Sequence, residues 1–287
     1  AILVPDKSGK KEHVTLGFDK LEGYEEFSYQ GSSVGRHANR INKGKLSIDG
    51  QSWQLSINND ANHLHGGKRG WDKYVWESCV VDGSVVFSRL SPDGEEGYPG
   101  DVLAQVKYTL NDDGALRIDF EAMTTRIDNV KSFWILLIWE LAPVGGTGFD
   151  LRSPITFREA LPKVPGGGFD HNFCLHRKHR GELEFAARFH HPPTGRVLEV
   201  YTTEPGVQIY TGNFLPKEDG KMVGRNGSSY TYQGSVCCEP QNFPNAVNQV
   251  NNNYQNHGSI NIACSFYVYN WRGSPLDRGS VGCETSI

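Results

Sequence analysis

Long apolar runs are missing from this chain of 287 residues. The longest, Phe133-Trp134-Ile135-Leu136-Leu137-Ile138-Trp139, falls far short of the roughly 20 residues a membrane-crossing helix needs. It reads as a buried strand or core segment, and no membrane partner is expected. The opening Ala1-Ile2-Leu3-Val4-Pro5 has no basic leader and no full apolar core, so no secretory signal is expected. There is no excess of charge: 29 Lys and Arg against 33 Asp and Glu give a formal −4. That mixed balance argues against a nucleic-acid or polyanion partner. Cysteine is scarce, six in all with Cys237 and Cys238 adjacent, which is not the spacing of a disulfide framework. A reduced, cytoplasmic protein is the expectation. Cys-x-x-Cys, His-Glu-x-x-His and a glycine-rich phosphate loop are all absent, which removes the common sequence signals for structural zinc, metalloprotease and dinucleotide sites.

Glycine is plentiful at 33 residues, and it punctuates short alternating runs. Lys45-Leu46-Ser47-Ile48 precedes Asp49-Gly50, and Trp53, Leu55 and Ile57 alternate after it. The same pattern recurs at Asp82-Gly83, between Val80-Val81 and Val85-Val86-Phe87. It recurs again at Asp113-Gly114, between Val106 to Leu110 and Leu116 to Phe120. Asp-Gly tolerates the positive φ of a type I′ turn, so each pair predicts a hairpin. Further strands are predicted around Leu183-Glu184-Phe185, Ala187-Arg188-Phe189, Val197 to Tyr201, Val207 to Tyr210 and Ser265 to Tyr269. No window carries a helical stripe. The fold class is therefore all-β, a large antiparallel β-sandwich. Residues 1–250 read as one such domain. Residues 248–262 are Asn-rich and read as loop, and 251–287 as a divergent, poorly ordered tail.

Several polar clusters could carry chemistry. His63 and His65 alternate on a strand and share a face, but Gly66-Gly67-Lys68-Arg69 follows instead of a carboxylate ligand. They are turn residues bonding backbone, imidazoles presented into a cleft, or, less in keeping with this spacing, a metal pair. Gly35-Arg36-His37-Ala38-Asn39-Arg40-Ile41 is either a solvated loop or, through Asn39 and Arg40, a fixed array of donors for hydroxyls or an anion. Residues 91–100, rich in Gly, Pro and acid, read as an exposed loop, with no catalytic role for Glu95 or Glu96. Asp170 lies among aromatics as a structural or ligand-facing acceptor, and Gln208 sits between apolar neighbours on a strand. Glu239 follows two small thiols. It is either a salt-bridged strand end or a partly desolvated carboxylate whose raised pKa suits a general base.

These clusters, in this order, resemble the aldose 1-epimerase (galactose mutarotase) family. The resemblance rests on Leu16-Gly17-Phe18, the Gly35 to Ile41 and Asn62-His63-Leu64-His65-Gly66-Gly67 segments and residues 91–100. It continues through Gly148-Phe149-Asp150-Leu151-Arg152, Gly168-Phe169-Asp170-His171-Asn172-Phe173, Pro205 to Phe214 and Glu239-Pro240-Gln241-Asn242-Phe243-Pro244. It implies a galactose mutarotase-like β-sandwich that interconverts the α and β anomers of hexoses such as galactose and glucose. No metal or organic cofactor is implied, and a monomer or weak dimer is expected. By resemblance Glu239 is the base that takes the anomeric proton. Asn39, Arg40, His65, Asp170 and Gln208 hold the sugar, with His65 assisting proton transfer. The chain departs from the family pattern in three places. The family's first strands would precede Ala1, its ending differs from Val250 onward, and no His lies between His65 and His171, where the family carries its general-acid His. A sugar-binding relative with impaired catalysis is the alternative reading.

Overall fold

The structure, a computed structural model, describes residues 1–48, 50–112, 114–124, 142–176 and 181–248, together with the backbone at 263–264, 266–269 and 282–285. Asp49, Asp113, the Phe133 to Trp139 run, residues 249–262 of the Asn-rich stretch and most of the tail lie outside the described residues. The strand pairings within the sheets described below are antiparallel. The chain divides into two compact units. One comprises Ala1–Gly31, Glu140–Asn242 and Cys264–Ile287, the other Ser32–Trp139 and Phe243–Ala263.

The second unit is built on hairpins. Glu77–Val81, Ser84–Ser91, Val102–Leu110 and Leu116–Thr124 form a four-stranded meander in sequence order. Val81 pairs with Ser84 across Asp82 and Gly83, both at positive φ, the two-residue turn that Asp-Gly favours. The Asp113-Gly114 hairpin forms with a longer connection, its last pair being Leu110 with Leu116. Val102, Ala104 and Val106 are buried in alternation along their strand, and Val102 and Ala104 pack with Trp71, Trp76, Phe120 and Ala122. Lys45–Ile48 pairs with Gln51–Gln54, and Leu46 and Ile48 join Ile41, Leu55, Tyr98, Ala246 and Val247 in a separate core. The strand after this turn ends at Gln54, so Leu55 and Ile57 lie beyond it.

The first unit is a sandwich of two sheets. One carries Asp170–Cys174, Gly206–Tyr210, Ser235–Gln241 and Phe266–Tyr269 in that order. The other carries Ile155–Thr156, Gly282–Thr285, Glu184–His191 and Arg196–Thr202. The two predicted strands around Phe185 and Ala187 are one strand broken by a bulge. Phe173, Val207, Ile209, Val236 and Cys238 from the first sheet meet Ala187, Phe189 and Val200 from the second in one buried cluster. Burial of this interleaved layer stabilises the unit by about 25 cal/mol per Å² of apolar surface removed from water. Two short helices were not foreseen, Leu21–Glu26 and Phe157–Ala160. Phe157–Ala160 starts with a capping box in which Thr156 and Glu159 exchange bonds. Too short to show a 3.6-residue stripe, neither could be read from periodicity. No helix among the described residues is long and apolar enough to cross a membrane.

Candidate active site

In the second unit, Arg40–Ile41 pairs with His63–Leu64, and this small ladder fixes Asn39 and His65 at its ends. The backbone N–H of His65 donates to the Asn39 carbonyl at 3.1 Å, and the Asn39 N–H donates to His65 Nδ1 at 3.1 Å. Both residues have positive φ, Asn39 at 61° and His65 at 50°. Asn39 Oδ1 accepts from the Arg40 N–H at 2.9 Å, a local turn bond that suits Asn to this conformation. Because Nδ1 accepts, the neutral imidazole carries its proton on Nε2 and is a donor there. Burial, helped by the Arg40 and Lys73 charges, pushes His65 down to about 3. It is a neutral hydrogen-bond donor across the physiological range, not a cationic acid.

Supports surround this ladder. A methyl at Gly66 would run into the Gly35 carbonyl, so the backbone there requires glycine. The Glu96 carboxylate takes the N–H groups of Lys68 and Arg69 at 3.1 and 2.8 Å and the Ser56 hydroxyl at 2.6 Å. Burial alone would raise the Glu96 pKa, but those donors win and hold it below the ordinary carboxylate range. Glu95 is likewise lowered, against burial, by Arg89 and Ser91, and Arg89 grips it with two bonds at 2.8 and 3.0 Å. The loop at 91–100 is therefore not simply exposed: Ser91 and Tyr98 are buried, and only Pro92 to Gly94 face solvent.

Arg36 is also committed. It is 4% exposed and donates to Ser91 Oγ and to the carbonyls of Ser91, Pro92, Pro99 and Gly100 at 2.6–3.1 Å. The Gly35 to Ile41 segment is thus no solvated loop, since Arg36 to Asn39 are all buried. Arg40 spends its Nε on Asn59 Oδ1 at 2.9 Å. His63 is satisfied on both nitrogens. It donates from Nδ1 to the Ser56 carbonyl and accepts at Nε2 from the Tyr98 hydroxyl, each at 2.7 Å. His63 and His65 therefore do not converge on a metal, and no group of three His, Cys, Asp or Glu among the described residues could hold one.

In the first unit, one face of the Asp170 to Tyr269 sheet packs into the sandwich and the other carries polar groups. The two-residue period puts Asp170 and Asn172, Gln208 and Tyr210, and Cys237, Glu239 and Gln241 on that second face. The register aligns Asn172, Gln208 and Glu239 in one row and Asp170, Tyr210 and Cys237 in the next. Gln208 Nε2 donates to Asp170 Oδ1 at 2.8 Å. Asp170 is steadied from behind. The preceding Phe169 gives its N–H to Thr211 Oγ1 and accepts at its carbonyl from Asn213 Nδ2, at 3.0 and 2.8 Å. Glu239 is only 7% exposed, and the Cys237 thiol donates to its Oε1 at 3.1 Å. Tyr210 accepts the Phe214 N–H at 2.8 Å. Burial first, then the nearby Asp170, Cys237 and Glu239, raise its phenol pKa well above normal, so it stays protonated.

The structure thus assembles Asp170, Gln208 and Glu239 on one sheet face, and Asn39, Arg40 and His65 on one ladder. Sequence reading overlooked Cys237, Tyr210, Thr211 and Asn213. Strand alternation would have put Cys237 beside Glu239, whereas Thr211 and Asn213 left no signal, because their partners lie some 40 residues away in the chain.

The all-β scaffold presents a buried carboxylate with amides on the sheet face of the first unit, and an imidazole on the ladder of the second. The chain is a member of the aldose 1-epimerase family, whose model matches residues 1–133 and 135–258. It is 44% identical over 282 residues to the galactose mutarotase of Homo sapiens, covering 87% of this chain and 81% of that protein. It is 31% identical over 284 residues to the aldose 1-epimerase of Escherichia coli, covering 85% and 80%. A solved GalM/aldose epimerase homologue from C. elegans superposes with a TM-score of 0.74 at 24% identity, over 94% of this chain and 92% of that one, which shows the fold.

Proposed function

We propose that this protein is an aldose 1-epimerase interconverting the α and β anomers of free hexoses such as D-galactose and D-glucose, with Glu239 as the general base. The observation that carries the reading is the polar row on the first unit's sheet, where a buried carboxylate lies beside the Gln208–Asp170 pair in a chain of this family. Anomer exchange needs the O1 proton removed and a proton supplied at the ring oxygen. The open-chain aldehyde then rotates about C1–C2 and closes on its other face. A buried carboxylate takes the O1 proton, a step worth roughly 10²–10⁴-fold. Asp170 and Gln208 hold sugar hydroxyls, the carboxylate as acceptor and the amide as donor and acceptor. Asn39, Arg40 and His65 take sugar-binding roles as well. His65 uses its Nε2–H as a donor, which steadies charge developing on a sugar oxygen without an imidazolium; a solvent water gives the ring oxygen its proton and takes it back at closure, while Glu239 returns its proton to O1.

We place the protein in the cytoplasm, acting on hexoses of carbohydrate metabolism as a monomer or weak dimer. The free thiols of Cys79 and Cys174 support a reducing compartment.

Polarimetry of freshly dissolved α-D-galactose tests the proposal. The protein accelerates the decay of rotation over buffer, and Glu239→Gln removes at least about a hundredfold of that acceleration. A wild-type decay no faster than buffer would overturn the enzyme reading and leave a sugar-binding relative with impaired catalysis.

A further inference from the structure

Glu239 shares its strand face with Cys237, two residues earlier, and the thiol donates to Oε1 at 3.1 Å. Both side chains are buried, Cys237 completely. A thiol is a weak donor in water. Inside a protein, however, the low dielectric strengthens the bond, and donation to a carboxylate favours its ionised form. Cys237 is itself held in place, packed with Leu16, Phe18, Leu215, Met222 and Tyr230 and backed by Tyr210. Its sulfur is therefore not free to wander from the carboxylate. Among the described side chains, the other titratable groups on this face are Asp170 and Cys174 on one strand and Tyr210 on the next. Asp170 is engaged by Gln208, burial raises the Cys174 thiol pKa, and Tyr210 is kept protonated.

We propose that Cys237 is a positioning residue for the base. By donating to Oε1 it fixes the rotamer of Glu239 and keeps the carboxylate ionised for the anomeric hydroxyl. The inference rests on the reading of Glu239 as the base. It accounts for a cysteine at this place, because an aliphatic side chain would pack as well but could not donate.

The test is the pH dependence of kcat/KM for α-D-galactose, measured by polarimetry on the full chain, for wild type, Cys237→Ala, Cys237→Ser and Glu239→Gln, with thermal unfolding followed in parallel. Loss of the donor in Cys237→Ala moves the acid limb to higher pH by about half a unit to one unit. The rate at the acid end then falls about three- to tenfold, and the deficit shrinks as pH rises. Cys237→Ser restores a donor and returns the limb to the wild-type position or below it. Cys237→Val, also without a donor, replaces the alanine variant if that one does not fold. A lowered unfolding temperature with an unmoved acid limb in both non-donor variants would mean that the thiol only packs, and would overturn the inference. Glu239→Gln separates the two readings. If it keeps wild-type rates, Glu239 is not the base and both fall. If it is inactive while the Cys237 limb stays put, only the role of Cys237 falls.

Discussion

Replacing His37 by leucine should remove its share of the acid sensitivity that three desolvated histidines, His37, His63 and His65, impose on the second unit. His37 is fully buried, and neither ring nitrogen has a hydrogen-bond partner. Burial, with smaller contributions from His63 and His65, pushes it down from 6.5 to about 3. Burial does the same for His65. At pH 5 both rings are therefore neutral in the folded protein and protonated in the unfolded chain. The unfolded state then binds more protons, so stability is full above about pH 6.5 and is lost progressively as pH falls toward 3. Between pH 7 and pH 5 each imidazole costs about 2 kcal/mol, or about 4 kcal/mol for the pair. Urea unfolding at the two pH values measures this directly. Wild type should lose about 2 kcal/mol more than His37→Leu over the interval, the other titrating groups cancelling in the comparison. At pH 7 the leucine variant should be nearly as stable as wild type, because it removes a buried polar ring whose nitrogens make no bonds. Equal acid losses in the two proteins would refute the reasoning.

Two further outcomes follow from the geometry. Arg36→Met strips donors from Ser91 Oγ and four buried or half-buried carbonyls and should cost about 3–5 kcal/mol in thermal or chemical unfolding. Arg36→Lys should recover only a minor part of it, because a point charge cannot replace the fork, and a loss below about 1 kcal/mol for the methionine variant would contradict this role. Gln208→Leu removes the donor on Asp170 Oδ1 and should raise KM for galactose by about tenfold with a smaller effect on kcat, and an unchanged KM would count against Gln208 as a sugar ligand.

The hairpins were legible because their information is local. Asp82 and Gly83 adopt the positive φ that their side chains permit, and the flanking valines supply the register. Asp170 was suspect for a reason visible in one dimension, a carboxylate among Phe169, His171 and Phe173 that needed a partner. What could not be read was which partner: Gln208 reaches it only because two strands pair Asn172 with Gln208 across the sheet. Arg36 shows the opposite failure. In the sequence it was only part of a segment read as a solvated loop or, through Asn39 and Arg40, a donor array, yet folding commits its guanidinium to the loop at 91–100, more than 50 residues away in the chain. Glu95 and Glu96 looked like surface acids. One became half of a buried ion pair with Arg89, and the other a staple for the loop that follows His65.

Composition, alternation and turn chemistry by themselves determined an antiparallel β protein with no membrane-length apolar segment, and the order of its polar motifs marked the aldose 1-epimerase family. Those properties depend on neighbours within a few residues, which a linear text records. The tertiary structure decided which polar atoms are used up and which are held for chemistry. His63 is closed off by Ser56 and Tyr98, His65 is desolvated into a neutral donor, and Cys237 is set against Glu239. The physical reason is that hydrogen bonds and burial are properties of positions in space: the same imidazole or guanidinium is a ligand, a strut or a buried ring according to what the fold brings within 3 Å of it.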